Sequence, residues 1–517
     1  MRRICRVVFS RYFLSALLIL MELALIVVWA FGMWENSVYA IIFGIIINVI
    51  STVNLITKDT NPEYKLPWLF VLISLPLVGT ILYLLFYSRK MTRREGRFMM
   101  DLYKEIEGAD GVENDEKIDE VFLELKAQSP KIAGQALSIL NDDPFARVYR
   151  NSASKYFSSG EEYYASMLEK IEGAKKYIFL EYFIIDEGIM WKTIHKVLKA
   201  KIGEGVEVRV MYDDIGCMKT LPSEYSKKLI AEGISCVRFN KVTPSLSTTH
   251  NNRNHRKICV IDGEYAYTGG VNIADEYINA KERFGYFKDG GVLITGEAVR
   301  GLLVQFLCDW SLVRRQKEDY SKYLKDVKKA EKCDTGYYIP FASGPKPTYL
   351  RQVGKRVFLN IINQAKSYVY ITTPYLIIDY ELTEALRGAS LRGVDVRIIT
   401  PAIPDKKIVK VMTKSSYPYL MECGVKIYEY KPGFIHEKLL ICDDCISVVG
   451  TINFDYRSLV HHFENAVMIY KSETVLQMKE KYAETKSLCT KISPKKAKLT
   501  VLERIVRNAV RLFAPLL

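Results

Sequence analysis

Apolar and polar positions follow different periods in different parts of the chain. Over the first ninety residues the apolar positions are nearly continuous, in runs at 12–34, 38–57 and 66–87. A run of about 20 apolar residues is long enough, as a helix, to cross ~30 Å of hydrocarbon, so two or three transmembrane helices are predicted. From about residue 150 the pattern changes. An amphipathic stretch at 161–171 leads to short apolar runs at 177–184 and 206–211, each followed by a stretch of helical period. Further short strands come next, then a last helix over 297–314. The same succession runs from 350–364 through strands at 368–376 and 394–399 to a helix over 473–488. Strands alternating with helices predict an α/β fold, with part of each sheet antiparallel where short strands follow one another directly.

The two successions are copies of one unit. Ala174-Lys175-Lys176-Tyr177-Ile178 matches Ala365-Lys366-Ser367-Tyr368-Val369, 191 residues on. Gly205-Val206-Glu207-Val208-Arg209-Val210 matches Gly393-Val394-Asp395-Val396-Arg397-Ile398, 188 residues on. Near-constant offsets mark an internal repeat, and two like units in one chain are expected to pack about a pseudo-two-fold axis.

Charge and composition narrow the class. The 517 residues are 49% hydrophobic and 26% charged, which excludes a disordered or collagen-like chain. Ten Cys are too few for a disulfide scaffold, and nine lie beyond residue 90, where reduced, packed thiols suit a cytoplasmic domain. The net charge of +14 favours an anionic partner, lipid or nucleic acid. Arg2, Arg3, Arg6 and Arg11 precede the first run, and Arg89, Lys90, Arg93, Arg94 and Arg97 follow the third. The positive-inside rule wants both clusters in the cytoplasm, which two crossings satisfy and three do not. Glu22, at a cost of roughly 2–3 kcal/mol in hydrocarbon, marks the first run as the one that lies in the interface or re-enters. The expected organisation is a membrane anchor (1–90), an acidic, solvated helical linker (91–144), a first repeat (145–330), a second repeat (331–490) and a tail (491–517). Residues 499–513 of the tail read as a basic amphipathic helix for an anionic membrane surface.

The chemistry is duplicated as well. His255-Arg256-Lys257, Asp262, Gly269, Gly270 and Asn272 recur as His436-Glu437-Lys438, Asp443, Gly450, Thr451 and Asn453, ungapped and 181 residues apart. His and Lys two apart on a strand share a face. A Gly-x-x-Asn turn lets backbone approach a ligand and offers an amide donor. Two imidazoles, two ammoniums and two amides around one axis suit a phosphodiester. One His attacks phosphorus, the other protonates the leaving alcohol, and Lys257, Lys438, Asn272 and Asn453 hold the non-bridging oxygens. Asp262 and Asp443 complete the motif, and turn chemistry accounts for them. No metal-ligand pattern or cofactor site is evident, and Cys442-x-x-Cys445 lacks a second pair.

The paired motif resembles the HKD signature of the phospholipase D superfamily. Tyr212-Asp213-Asp214-Ile215-Gly216, Arg253-Asn254-His255-Arg256-Lys257, Thr268 to Tyr277 and Asn453-Phe454-Asp455-Tyr456-Arg457-Ser458 are similar to signatures of the bacterial cardiolipin synthases. So is the third apolar run, with Trp68, Pro76, Gly79 and Tyr83. The resemblance implies a multi-pass bacterial membrane enzyme with a cytoplasmic catalytic domain of two phospholipase D-like repeats. It implies metal-free transfer of a phosphatidyl group from one phosphatidylglycerol to another, with no nucleic-acid partner. It also implies a carboxylate behind each imidazole, and Asp289, after His255, and Glu464, after His436, are the residues that fit. Gly270 and Thr451 stand where the family often has Ser, and His461-His462 where an apolar–Asn pair is common. His462 is expected to bond a loop. A hydrolase or nuclease of the superfamily and a non-catalytic scaffold are the competing readings. The first copy carries about ten extra residues before its motif, within 242–252, a loop that would gate water from the site or merely connect.

Overall fold

The computed structural model describes residues 38–58, 60–87, 92–110, 112–241, 252–346, 348–349, 351–494, 504–505 and 511–512. The first apolar run, the 242–251 loop and nearly all of the basic tail lie outside the described residues. The chain divides into two compact units.

Among its described residues the first unit contains the helices α1 (Val38–Thr57), α2 (Pro62–Ser74) and α3 (Pro76–Phe86). The third apolar run was expected to be one helix, and it is two. Leu75 leaves helical geometry at φ −135°, ψ 74°, and Pro76, which has no N–H to donate back, starts the next helix. The chain then doubles back. Trp68 on α2 packs edge-on against Tyr83 and Tyr87, with ring centroids 5.8 and 6.1 Å apart. Gly79 permits the close pass: a Cβ there would lie 2.4 Å from the Val71 carbonyl oxygen. Asn48 of α1 closes the turn, donating Nδ2 to the carbonyls of Leu72 (3.1 Å) and Pro76 (2.9 Å). Over the residues whose side chains are described, no helix is long and apolar enough to cross a membrane.

The second unit holds two large sheets, with two small two-stranded ones beside them. In spatial order the first is Ser152–Phe157, Gly291–Gly296, Tyr265–Gly269, Lys257–Ile261, Tyr177–Tyr182, Glu207–Asp213 and Ser235–Phe239. The second is Tyr337–Ser343, Glu464–Tyr470, Ile446–Gly450, Leu439–Cys442, Tyr368–Thr372, Asp395–Pro401, Lys426–Tyr430 and Cys489–Lys491. Apart from the last strand the two orders are the same, which is the expected repeat in space. Each sheet is parallel across three strands, from Tyr177–Tyr182 to Ser235–Phe239 and from Tyr368–Thr372 to Lys426–Tyr430, and antiparallel through the motif hairpin. Helix Val299–Arg314 is buried from Val299 to Leu312 but for Arg300, and its apolar side chains join one core with strands of both repeats.

The acidic connector is helical, over Arg93–Asp110, Val112–Gln128 and Pro130–Asp142. It is not the solvated linker expected from its charge. Met99, Leu102, Ile106, Leu125, Ile132, Ala136 and Ile139 are buried in the catalytic core. Among the described side chains Asp101 and Glu120 are exposed and Glu105 half-buried, so charge counting alone hid an amphipathic pattern.

Candidate active site

Each motif histidine stands just before a fully buried central strand, Lys257–Ile261 or Leu439–Cys442. Short parallel bridges hold each His against the other repeat. The His255 N–H donates to the Phe463 carbonyl (2.8 Å) and the Phe463 N–H to that of Arg253 (2.9 Å). At the equivalent place Gly433–Ile435 pairs with Tyr286–Lys288, and the His436 N–H donates to the Lys288 carbonyl (2.7 Å). The residue after each bridge partner is a carboxylate. His255 Nδ1 is therefore 2.9 Å from Glu464 Oε2, and His436 Nδ1 is 2.7 Å from Asp289 Oδ2. The carboxylates are the two picked out from the sequence, but they are exchanged: each serves the imidazole of the other repeat, not its own. With Nδ1 engaged, Nε2 of each ring is the nitrogen left for chemistry.

Burial sets the electrostatics. It pushes His255 down to about 3, against the pull of Glu464, and His436 to about 4, so both rings are neutral at pH 7. Burial likewise brings Lys257 to about 7 and Lys438 to about 8, and the charge on Lys438 lowers Lys257 further. Burial alone would raise Glu464 and Asp289, but the facing imidazoles outweigh it and hold both carboxyls below their usual range. Each lysine donates Nζ to the carbonyl of its own motif histidine.

The remaining motif residues divide by what they touch. Gly270 makes room for Asp289, because a Cβ there would lie 2.1 Å from its Oδ1. Thr451, at the matching position, donates its hydroxyl to Glu464. Asn272 donates Nδ2 to the Tyr277 hydroxyl (2.7 Å) and accepts from the Ile184 N–H (3.1 Å). Asn453 Oδ1 is buried without a hydrogen-bond partner among the described residues. Asp262 and Asp443 sit at the far ends of the motif strands, at φ 55° and 50°. Asp262 accepts from the N–H groups of Lys175, Lys176 and Tyr177, and Asp443 from those of Lys366, Ser367 and Tyr368. Both carboxylates are spent on backbone, which removes them from the reacting set and leaves them as turn locks.

The roles of the neighbouring signature residues, and Asp309 altogether, were not read from the sequence. Asp213 grips Arg253 at 2.7 Å and the Asn254 N–H at 3.0 Å, holding the segment that leads into His255. Arg256, fully buried, pairs with Asp309 at 2.7 Å and donates Nε to the Glu464 carbonyl at 3.2 Å. His462 faces the site instead of bonding a loop: its ring lies 5.5 Å from that of His255 and its Nδ1 3.5 Å from Glu464 Oε1. The departure from the usual pair at 461–462 was the available signal. His255, His462 and Glu464 are also the group, among the described residues, whose ligand atoms lie close enough to hold a metal ion.

Comparison with known proteins agrees with this geometry. The family described as "Cardiolipin synthase, PLD-like domain" matches residues 167–283 and 358–486, and "Phospholipase D-nuclease N-terminal" matches 46–86. The cardiolipin synthase of Alkalihalophilus pseudofirmus is 33% identical over 486 residues, 94% of this chain and 95% of that one. That of Halalkalibacterium halodurans is 34% identical over 443 residues, 86% of each. Among solved structures, a phosphatidylserine synthase from Haemophilus influenzae shares the fold at 16% identity, with a TM-score of 0.54 over 70% of this chain and 95% of that one. The chain belongs to the cardiolipin synthase family and is a phosphatidyltransferase of the phospholipase D type.

Proposed function

We propose that the protein makes cardiolipin and glycerol from two molecules of phosphatidylglycerol at a bacterial cell membrane. The observation that carries this reading is the pair of buried, neutral imidazoles, each backed by a carboxylate. A neutral Nε2 is a competent nucleophile. His255 attacks phosphorus of the first lipid, and the phosphatidyl group moves to its Nε2. The glycerol oxygen leaves with a proton from His436. The bound phosphodiester carries the charge that lifts His436 into its protonated form and keeps Lys257 and Lys438 as ammoniums. His436, now neutral, takes the proton of a terminal hydroxyl on the second phosphatidylglycerol, whose oxygen attacks the phosphatidyl-histidine and frees His255. Glu464 and Asp289 hold ring orientation and offset the positive charge that forms.

The anchor at 1–90 brings this centre to its substrate, with the catalytic unit cytoplasmic. The apolar N-terminal helices and the match of residues 46–86 to the family's N-terminal region support membrane attachment. The deciding experiment is incubation with labelled phosphatidylglycerol vesicles in EDTA, followed by lipid analysis. Cardiolipin and glycerol are expected. Phosphatidic acid as the sole product would make the protein a hydrolase, and activity restored only by added metal would overturn the His–His chemistry.

A further inference from the structure

We propose that α2 and α3 form a re-entrant hairpin, which dips into the bilayer and returns to the face it entered, so the third apolar run does not cross. The inference rests on the membrane attachment proposed above and adds its topology. The occupant of the outer surface is lipid hydrocarbon. Ile42, Ile46, Val49 and Val53 on α1, and Ile73 and Leu84 on the hairpin, are 49–73% exposed. No charged residue occurs from Val38 to Thr57 or from Leu66 to Tyr87. Lys58, Glu63 and Lys65 gather at one end instead.

Depth follows from length. Thirteen residues in α2 and eleven in α3 rise about 20 and 16 Å, short of the ~30 Å core. The open end of the hairpin carries headgroup-level chemistry. Lys58 donates Nζ to the Tyr83 hydroxyl at 2.9 Å and lies 4.0 Å over the Tyr87 ring, beside Trp68. Aromatic rings and lysines of this kind sit at the membrane interface. The closed end meets the opposite demand. A helix break in hydrocarbon strands backbone carbonyls, which nothing but protein can satisfy there. Asn48 answers that of Leu72, whose helical donor would be the N–H that Pro76 lacks, and also reaches Thr80 Oγ1 at 2.8 Å.

The test is sidedness. Full-length Thr60→Cys and Ser88→Cys chains are treated in intact cells with a membrane-impermeant maleimide. Peptide mass spectrometry reads each site, so the ten native cysteines do not interfere. Both sites are expected to be shielded in intact cells and both modified after permeabilisation. Modification of one and not the other from outside means that the run crosses, and the hairpin is wrong. Ser37→Cys, expected to react from outside, reports α1 separately. Release of the protein by carbonate washing would instead sink the membrane reading itself, with another copy or partner covering these faces.

Discussion

Glu464 and Asp289 reach their imidazoles from opposite repeats, so their loss is felt in the other half of the molecule. Glu464→Gln and Asp289→Asn should each lower kcat by about 10²–10⁴, the range for a misoriented general acid or base. With His255 as nucleophile, Asp289→Asn retains the covalent intermediate longest. Phosphoryl-peptide mapping that finds the group on His436 would reverse the roles. Gly270→Ala should mimic Asp289→Asn, because its methyl occupies the carboxylate's place; a displacement of about 1 Å costs on the order of 10²-fold. Wild-type turnover in that variant would show that Asp289 has slack. Stability should follow pH in a set direction. The histidines are held near 3 and 4 in the fold against ~6.5 in the unfolded chain, so the unfolded state binds more protons between these limits. Stability is then present above pH ~6.5 and lost as pH falls through 4 towards 3. Thermal melts from pH 7 to pH 4 that stay flat would contradict the burial of both rings. The motif residues were legible because a 181-residue offset doubles every one of them. Which carboxylate serves which ring was not, since that depends on bridges between residues about 150 to 210 apart.

At the scale of elements, the strands and helices of both repeats appear where the short apolar runs placed them. The sequence strand at 177–184 is Tyr177–Tyr182, and the helix at 297–314 is Val299–Arg314. Two readings failed for physical reasons. The acidic count of the connector masked its buried stripe, and the hydropathy of 66–87 masked a break that Pro76 and Gly79 signal. Apolar content says that a segment avoids water, not that it is straight. The break depends on one side chain. Asn48→Leu leaves the Leu72 carbonyl without that donor, at a cost of about 1–3 kcal/mol for a buried group left unpaired. Thermal unfolding in detergent should fall accordingly, while the kcat of surviving protein is unchanged.

At the scale of the molecule, the crosswise contacts make two repeats into one centre. His255→Ala and Glu464→Gln should be strongly non-additive although they lie in different repeats, and so should His436→Ala and Asp289→Asn. His255→Ala with Asp289→Asn, which disables both rings, tests the same wiring; additive losses in the first two cycles would mean that the pairs work separately. The wiring has a consequence for a chain cut in two. Between the repeats, residues 331–333 are exposed and belong to no helix or strand. Cleaved there, the enzyme becomes a two-component system: neither fragment contains a histidine together with its own carboxylate. Its rate would rise with the product of the two fragment concentrations and collapse on dilution, as the intact chain's would not.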